Sequence, residues 1–277
     1  MERREGRRRL IVNADDFGRS QSINQAVIRA HREGILTTAS LMVNEPGCAE
    51  AVDLARENPR LGVGLHLALI CGRSALPPNK IPGLVDSESQ FSNDPVTTGF
   101  RYFAQSKLRS QLEAEMRAQF ERFRSTGLSL DHVNGHLHLH LHPAVFPLLM
   151  KHAEDWGIRH LRLTWDPFWL NARLASGRWG YRALHWLIYR ILSRRARPEL
   201  ERRGIKFTQV VFGLLQSDRV DEAYIERLAA VLPPGDSELY SHPSLDQFKE
   251  EFDALISPRV KALLDKRGVE RIRYQDL

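Results

Sequence analysis

The residues best suited to chemistry lie between His132 and His142, where five of the chain's eleven histidines fall within eleven positions. After Gly135 the histidines alternate with leucine. In an extended strand alternate side chains share one face, so the pattern predicts a column of imidazoles opposite a leucine face. Neutral imidazole is the commonest protein metal ligand, and the run therefore predicts a metal site. A strand edge that is merely rich in histidine is the alternative.

Three more polar clusters follow predicted strands: Asp15 and Asp16, then His66, then His242. Each has an ordinary explanation by itself, as a turn, a core histidine and a loop-shaping residue before proline. In a parallel α/β barrel, however, the residues after the carboxyl ends of the strands meet at one face. The four clusters are therefore expected to converge on one pocket, and carboxylate with imidazole suits a divalent metal.

A mononuclear site needs about three protein ligands and keeps one position open. One carboxylate of the Asp15–Asp16 pair and two histidines supply that number. The second carboxylate is then available as a general base towards water, and His242 is placed to protonate a leaving group.

The elements that position these residues alternate between short apolar runs and amphipathic segments. This alternation predicts a parallel sheet closed into a distorted (β/α) barrel. Strands are predicted at 10–14, 39–43, 62–67, 131–134, 159–163, 210–212, 238–240 and 270–273, and helices at 21–32, 48–58, 108–125, 144–156, 221–231 and 258–266. We expect a basic arm at 1–9 and a single domain at 10–277, with two long loop insertions near 71–106 and 165–207.

The composition, with 42% hydrophobic and 27% charged residues, is that of an ordinary globular protein. No apolar run approaches the ~20 residues that span a bilayer, and no signal peptide is recognisable at the N-terminus. The two cysteines, Cys48 and Cys71, have no metal-ligand spacing, which favours a reducing, cytoplasmic setting.

The insertion interleaves arginine with tryptophan, tyrosine, leucine and isoleucine between residues 165 and 206. One interpretation is a helix that packs its apolar stripe on the barrel. The other is a peripheral contact with lipid headgroups at the inner face of the membrane. Nucleic-acid binding is not expected, because no recognisable module accompanies the basic charge.

The motifs around these residues resemble those of the YdjC/ChbG family of carbohydrate deacetylases. The chain contains Asn-Ala-Asp-Asp-Phe-Gly at 13–18, Gly-Val-Gly-Leu-His at 62–66, the histidine block before Pro143, and Ser-His-Pro at 241–243. The text at 130–143 and at 211–214 is similar to the hopanoid-biosynthesis-associated, HpnK-like branch.

The resemblance implies a barrel of the glycoside hydrolase/deacetylase type that removes acetyl from an N-acetylated sugar with one divalent metal ion. By motif, Asp16, His66 and His136 would bind the metal, Asp15 would be the general base, and His242 the general acid. At two positions this sequence departs from the family's motifs, which affects the roles assigned by resemblance. Asn134-Gly135 stands where the family often has Asp-Ser, and Ser244 replaces a common glycine.

In a straight strand His136 and His140 would lie roughly 13 Å apart, too far to share a metal. Either the chain turns after Gly135 or only one of them is a ligand. We favour His136, keep His140 as a second candidate ligand, and assign His138 to substrate contact or the metal's outer shell. His132 and His142 are expected at the periphery. Further candidates for substrate contact or the outer shell are His140, Asn44, Arg162 and Trp165.

The substrate implied is an N-acetylated sugar, on a glycolipid such as an N-acetylglucosaminyl hopanoid. The alternatives are a deacetylase of soluble chitooligosaccharides, a metal-dependent phosphoesterase or other amidohydrolase, and a non-catalytic sugar-binding protein. The sequence does not distinguish zinc from magnesium as the metal, and it allows a homodimer. A glycosidase fits poorly, because neighbouring carboxylates cannot flank a glycosidic bond.

Overall fold

The computed structural model describes residues 6–216 and 219–277. Within them seven strands form one parallel sheet: β1 (Arg8–Phe17), β2 (Thr38–Leu41), β3 (Gly62–Leu67), β4 (Val133–Gly135), β5 (Val210–Phe212), β6 (Gly235–Ser241) and β7 (Val269–Ile272). Residues 1–5 of the expected basic arm lie outside the described residues, and Arg8 and Arg9 already belong to β1.

Helices connect the strands and cover the sheet. They are α1 (Gln21–Glu33), α2 (Cys48–Glu57), α3 (Pro95–Ala104), α4 (Arg109–Ser125), α5 (Phe146–Lys151), α6 (Phe168–Leu174), α7 (Trp179–Arg202), α8 (Glu222–Val231), α9 (Lys249–Ile256) and α10 (Pro258–Lys266). Side-chain caps fix several starts. The hydroxyl of Ser257, for example, accepts a hydrogen bond from Val260 N before the proline that begins α10.

The sheet runs in the order β4-β3-β2-β1-β6-β5, and β7 pairs with the first half of β1. Between β4 and β5 the ring closes through two isolated bridges among the described residues, from Val133 to Leu161 and from His160 to Lys206. The backbone amide of Val211 also donates to the carbonyl of Trp165 at 2.8 Å. The predicted distorted (β/α) barrel is therefore confirmed.

The strand predicted at 159–163 is wrong as a regular element. Arg162 N donates to the carbonyl of Val133, in the manner of a strand. Its own carbonyl instead accepts a hydrogen bond from His140 Nε2 at 2.9 Å. A side chain thus takes the place of a strand neighbour, and the segment stays irregular where the barrel closes.

The central strand β1 is buried on both faces from residue 10 to residue 17. Leu10, Val12, Ala14 and Phe17 belong to the main core cluster, which extends through all the larger helices, whereas Ile11 packs with Ile272 and Tyr274. Because helices or strands cover both faces of a parallel sheet, its strands are apolar throughout. The polar residues near the carboxyl end of β1 are therefore exceptions that need a chemical explanation.

The two insertions carry helices of their own. The first holds α3 and the antiparallel bridges Arg73–Gln90 and Val85–Phe91, and the second holds α6 and α7. The helix predicted at 144–156 is too long, since α5 ends at Lys151 and the following turns stack Trp156 on Phe120 at 4.3 Å. In the part of the chain that the structure describes, no helix is long and apolar enough to cross a membrane.

Candidate metal centre

Three buried side chains bring their ligand atoms together at the carboxyl ends of β1, β3 and β4. His136 Nδ1 lies 2.9 Å from Asp16 Oδ1, and His66 Nε2 lies 3.2 Å from the same oxygen. The two ring nitrogens are 3.3 Å apart. Ligands at about 2.0–2.1 Å from a tetrahedral ion are roughly 3.3 Å from one another, so this donor set fits a divalent metal.

A hydrogen bond from outside the cluster fixes the orientation of His66. Its Nδ1 donates to Asn134 Oδ1 at 2.7 Å, because an amide oxygen can only accept. The lone pair of the neutral ring is then on Nε2, the atom that faces Asp16 and His136. Asn134 is itself oriented, since its Nδ2 donates to Ser40 Oγ and Asp15 Oδ1, both at 2.9 Å. Metal-binding histidines are commonly held in this way.

A break in the regularity of β1 places both aspartates in the site. Consecutive residues of a regular strand point to opposite faces. Here the register with β2 shifts between Ala14 and Phe17, and Asp16 has a positive φ of 64°. Aspartate tolerates this left-handed conformation better than most residues. As a result Asp15 and Asp16 both line the same cavity.

Asp15 is held by a buried arginine. Arg162 Nη1 donates to Asp15 Oδ2 at 2.6 Å and Nη2 donates to Oδ1 at 3.0 Å. Asn13 and Asn134 also donate to Oδ1. Burial raises the pKa of Asp15, but the Arg162 guanidinium and neighbouring His66 together hold it well below its usual range. Asp15 is therefore ionised in the folded protein.

Arg162 joins Asp15 to a second carboxylate that sequence reasoning missed. Its Nε and Nη2 donate to Glu238 Oε1 at 2.9 Å and 2.6 Å, and Tyr274 Oη donates to Glu238 Oε2. All three side chains are buried. The available signal was Arg162 between Leu161 and Leu163, and Glu238 directly before Leu239 and Tyr240. Nothing in their spacing indicated that the two charges meet.

His242 also lines the cavity and follows directly after β6. Its backbone amide donates to Glu251 Oε2 at 2.6 Å, and its ring packs edge-on against Tyr240 at 5.0 Å between centroids. Glu251, a buried residue of α9, was another group that the sequence did not single out. The structure thus brings His242 into the same cavity as Asp15 and the three-residue cluster.

The histidine run does not continue as a strand. After β4 it forms a 3₁₀ turn from His136 to Leu141, in which Leu137 and His138 have positive φ values of 49° and 58°. The predicted column of imidazoles on one strand face is therefore wrong beyond Gly135. The turn sends each histidine to a different place.

His138 lines the cavity, with its ring edge-on to Tyr189 and Tyr240. His140 does not: it bonds the Arg162 carbonyl and lies outside the ligand cluster. Burial lowers the pKa of both rings, that of His140 to about 3, so both are neutral. His132 is buried, with Nε2 at 2.9 Å from Ser40 Oγ, and lies outside the ligand cluster.

Two further candidates lie away from the cavity. Asn44 donates to the Arg73 carbonyl and accepts from Arg122, so its amide is used between loops. Trp165 packs partly buried against the core, and its carbonyl takes part in barrel closure. Neither is among the residues that line the cavity, and their contact with a substrate stays a prediction. His142 packs edge-on to Tyr102 at 6.5 Å, beside the turn.

The cavity above these residues has a volume of about 860 Å³. The barrel provides its floor, with Asp15, Asp16, His66 and His136. The second insertion provides one wall through Tyr181, His185, Ile188 and Tyr189 of α7. A volume of this size accommodates one or two sugar rings.

Comparison with known proteins adds to this geometry. A family model described as YdjC-like protein matches residues 9–266. The chain is 44% identical over 150 residues to a carbohydrate deacetylase of Brevibacillus brevis, covering 54% of this chain and 57% of that one. It is 41% identical over 152 residues to a carbohydrate deacetylase of Geobacillus stearothermophilus, covering 54% and 58%. The matches thus span little more than half the length of these relatives.

Solved structures show the same fold. A crystal structure from Enterococcus faecalis V583, of a protein proposed to cleave cellobiose phosphate, has a TM-score of 0.73 at 22% identity and covers 98% of this chain and 99% of that one. An uncharacterised protein from Agrobacterium tumefaciens C58 has a TM-score of 0.51 at 12% identity, covering 98% and 88%. At such identities the likeness concerns the fold alone.

Proposed function

Because this chain belongs to the YdjC-like protein family, we propose that it is a metal-dependent carbohydrate N-deacetylase. The observation that carries the proposal is the meeting of Asp16, His66 and His136 beside an ionised Asp15. A divalent cation held by these three residues would polarise the acetyl carbonyl and lower the pKa of bound water towards neutrality.

The reaction adds water to an acetamido group. Asp15 accepts a proton from water while the water oxygen forms a bond to the acetyl carbon. The bond from that carbon to nitrogen then breaks, and His242 donates a proton to the departing nitrogen, which gives acetate and a free amine. Asp15 Oδ2 accepts only the Arg162 Nη1 bond among the described residues, so it retains a lone pair for the water proton.

The remaining residues position these groups. Arg162 fixes the plane of the Asp15 carboxylate, and Asn134 connects that carboxylate to His66. His138 faces the cavity as a neutral ring and is assigned to contact with the sugar. Because His138 carries no charge, it can donate to or accept from a hydroxyl group according to its tautomer.

We further propose that the acetylated sugar belongs to a glycolipid, such as an N-acetylglucosaminyl hopanoid, and is met at the inner face of the membrane. The support is the similarity of residues 130–143 and 211–214 to the hopanoid-associated branch, together with the apolar residues of α7 beside the cavity. For the metal, two imidazoles favour zinc over magnesium.

An acetate-release assay tests both proposals. The protein, reconstituted separately with Zn²⁺ and Mg²⁺, is given chitooligosaccharides and N-acetylglucosaminyl lipids in detergent micelles. We expect metal-dependent acetate release, faster from the lipid-linked sugar. Release from chitooligosaccharides alone would contradict the glycolipid proposal but keep the deacetylase. Hydrolysis of phosphate esters with no acetate release would overturn the deacetylase itself.

A further inference from the structure

Helix α7 exposes an apolar stripe where a surface helix is usually polar. Leu184, Leu187, Ile188 and Ile191 follow the spacing of one helix face and are 56%, 47%, 42% and 47% exposed. The opposite face provides the packing, through residues such as Ser193, Ala196 and Leu200. The covering-helix interpretation therefore accounts for one face of α7 and leaves the other unexplained.

Helix α3, in the other insertion, repeats this arrangement. Val96, Phe100 and Phe103 recur at four and three residues and are 81%, 71% and 61% exposed. Single exposed apolar residues are ordinary, but stripes on two helices from separate insertions are not.

Both stripes flank the mouth of the cavity. Pro95, which begins α3, and Ile188 of α7 line the cavity itself. The 3₁₀ turn lies between the helices: Tyr102 of α3 packs edge-on to His142 at 6.5 Å, and Tyr189 of α7 packs edge-on to His138 at 5.3 Å. Leu137, at the tip of the turn, is 51% exposed.

Within residues 95–112 and 167–198, which carry the stripes, the charge has a single sign. Residues 95–112 contain three basic side chains and no aspartate or glutamate, and residues 167–198 contain seven arginines and no acidic residue. The whole chain has 34 acidic residues, so their absence from both segments is a local feature. Several of the arginines are exposed: Arg173, Arg178, Arg194 and Arg195.

We propose that these residues form one docking surface for an anionic lipid bilayer, which places the cavity mouth at the level of the headgroups. We call it the α3–α7 surface and define it as Val96, Phe100, Phe103, Leu137, Trp169, Trp179, Leu184, Leu187, Ile188 and Ile191 with the surrounding arginines. Apolar side chains enter the acyl boundary while arginines meet lipid phosphates. Trp169 and Trp179, 78% and 50% exposed, are the residue type that prefers this interface.

A second copy of the chain fits the surface less well. A two-fold interface places the same patch against itself. Here that would bring two arginine clusters together with no acidic residue in either segment to compensate. Nucleic acid would satisfy the arginines but not the exposed leucine, isoleucine and valine side chains. An anionic bilayer satisfies both sets of groups.

The inference deepens the proposed function, on which it rests only for the identity of the lipid-linked substrate. Vesicle binding requires no hydrolysis, so the two can fail separately. The test is co-sedimentation with unilamellar vesicles of phosphatidylcholine, with and without about one third phosphatidylglycerol, at physiological salt. We expect clear binding to the anionic vesicles and at least about tenfold weaker partitioning to the neutral ones.

Two multiple variants separate the contributions. Leu184→Gln/Leu187→Gln/Ile191→Gln should weaken partitioning at least about tenfold on both vesicle types. Arg194→Gln/Arg195→Gln should weaken it about tenfold on anionic vesicles only. The controls, Val231→Gln on α8 and Lys261→Gln/Lys266→Gln on α10, change one exposed apolar residue and two exposed basic residues elsewhere and should bind as the parent does.

Quenching of tryptophan fluorescence by brominated lipid gives a measurement that needs no triple variant. Quenching of the parent should decrease in Trp169→Phe/Trp179→Phe. Equal recovery in the supernatant with and without anionic vesicles would overturn the proposal, as would unchanged binding of the triple variant. A lipid-free dimer in analytical ultracentrifugation that the triple variant dissociates would also overturn it, and would make the surface a self-interface.

Discussion

The guanidinium of Arg162 binds the carboxylate of Asp15 through two hydrogen bonds of 2.6 Å and 3.0 Å, and neither side chain is more than 2% exposed. A third charge, Glu238, binds the same guanidinium. One buried cation thus serves two buried anions, only one of which faces the cavity. The stability of the barrel and the orientation of the reactive carboxylate therefore depend on the same residue.

Replacing Arg162 should show this dependence. Arg162→Met leaves Asp15 and Glu238 buried without their cation, so we expect the free energy of unfolding to fall by about 3–5 kcal/mol in urea denaturation. Adding Glu238→Gln removes one of the two anions and should restore part of that loss but no acetate release. A single variant within about 1 kcal/mol of the parent would contradict the buried ion pair.

Asp15→Asn tests the base. The amide keeps the shape of the carboxylate but cannot take a proton from water, so acetate release should fall about 10²–10⁴-fold. Metal content, measured by atomic emission, should remain that of the parent because Asp15 is not in the ligand cluster. Full activity in this variant would exclude Asp15 as the base.

His66→Ala tests the metal site through stability, independently of activity. A metal at about 100 times its Kd stabilises the folded state by about 2.7 kcal/mol, so a chelator should lower the Tm of the parent by roughly 5–10 °C. The His66→Ala variant should show no such shift and should bind no stoichiometric metal. The control is His31→Ala on α1, whose chelator response should match the parent. A parent Tm that changes with neither chelator nor added metal would argue against metal binding at the cluster.

His242→Gln tests the acid by changing the leaving group. On an acetamido sugar the departing nitrogen needs a proton, and kcat should fall about 10²–10⁴-fold. On an aryl acetate, whose leaving group departs without one, the loss should be much smaller. Equal losses on the two substrates would indicate a structural role for His242 instead.

Asp166, in the second insertion, gives a pH prediction away from the site. Burial raises its pKa well above the usual range, so the folded protein holds a proton that the unfolded chain releases. Its contribution to stability is thus fully present below about pH 4 and is lost as the pH rises towards the folded value. We expect the free energy of unfolding of the parent to fall between pH 5 and pH 8. In Asp166→Asn this fall should be smaller by at least about 1 kcal/mol, measured by urea denaturation at constant metal. Parallel curves would contradict the raised pKa.

Local pattern predicted most elements of the fold. The runs at 62–67 and 210–212 became β3 and β5 without change, because a buried parallel strand is apolar throughout. The start of α10 followed from Ser257 and Pro258. The histidine run misled, since alternation was taken as strand periodicity while two consecutive positive φ values turned the chain.

The site was predictable only where motifs marked it. Asp16, His66 and His136 come together as expected. Glu238, Tyr274 and Glu251 were not expected, because each acts through partners that lie between 9 and 76 residues away along the chain. A buried charged residue indicates that a partner exists, but not which one.

The strands that pair with the central strand β1 lie at very different distances from it along the sequence, so they are synthesised at different times. Its partner β2 follows within 30 residues, but β6 and β7 begin only at Gly235 and Val269. During synthesis, the edge of β1 that pairs with β6 and β7 therefore stays unpaired until nearly the whole domain has been made. Such non-local pairing slows folding and leaves the strand open to wrong partners. The same strand carries Asp15 and Asp16, so the site is completed only when the last strands join the barrel.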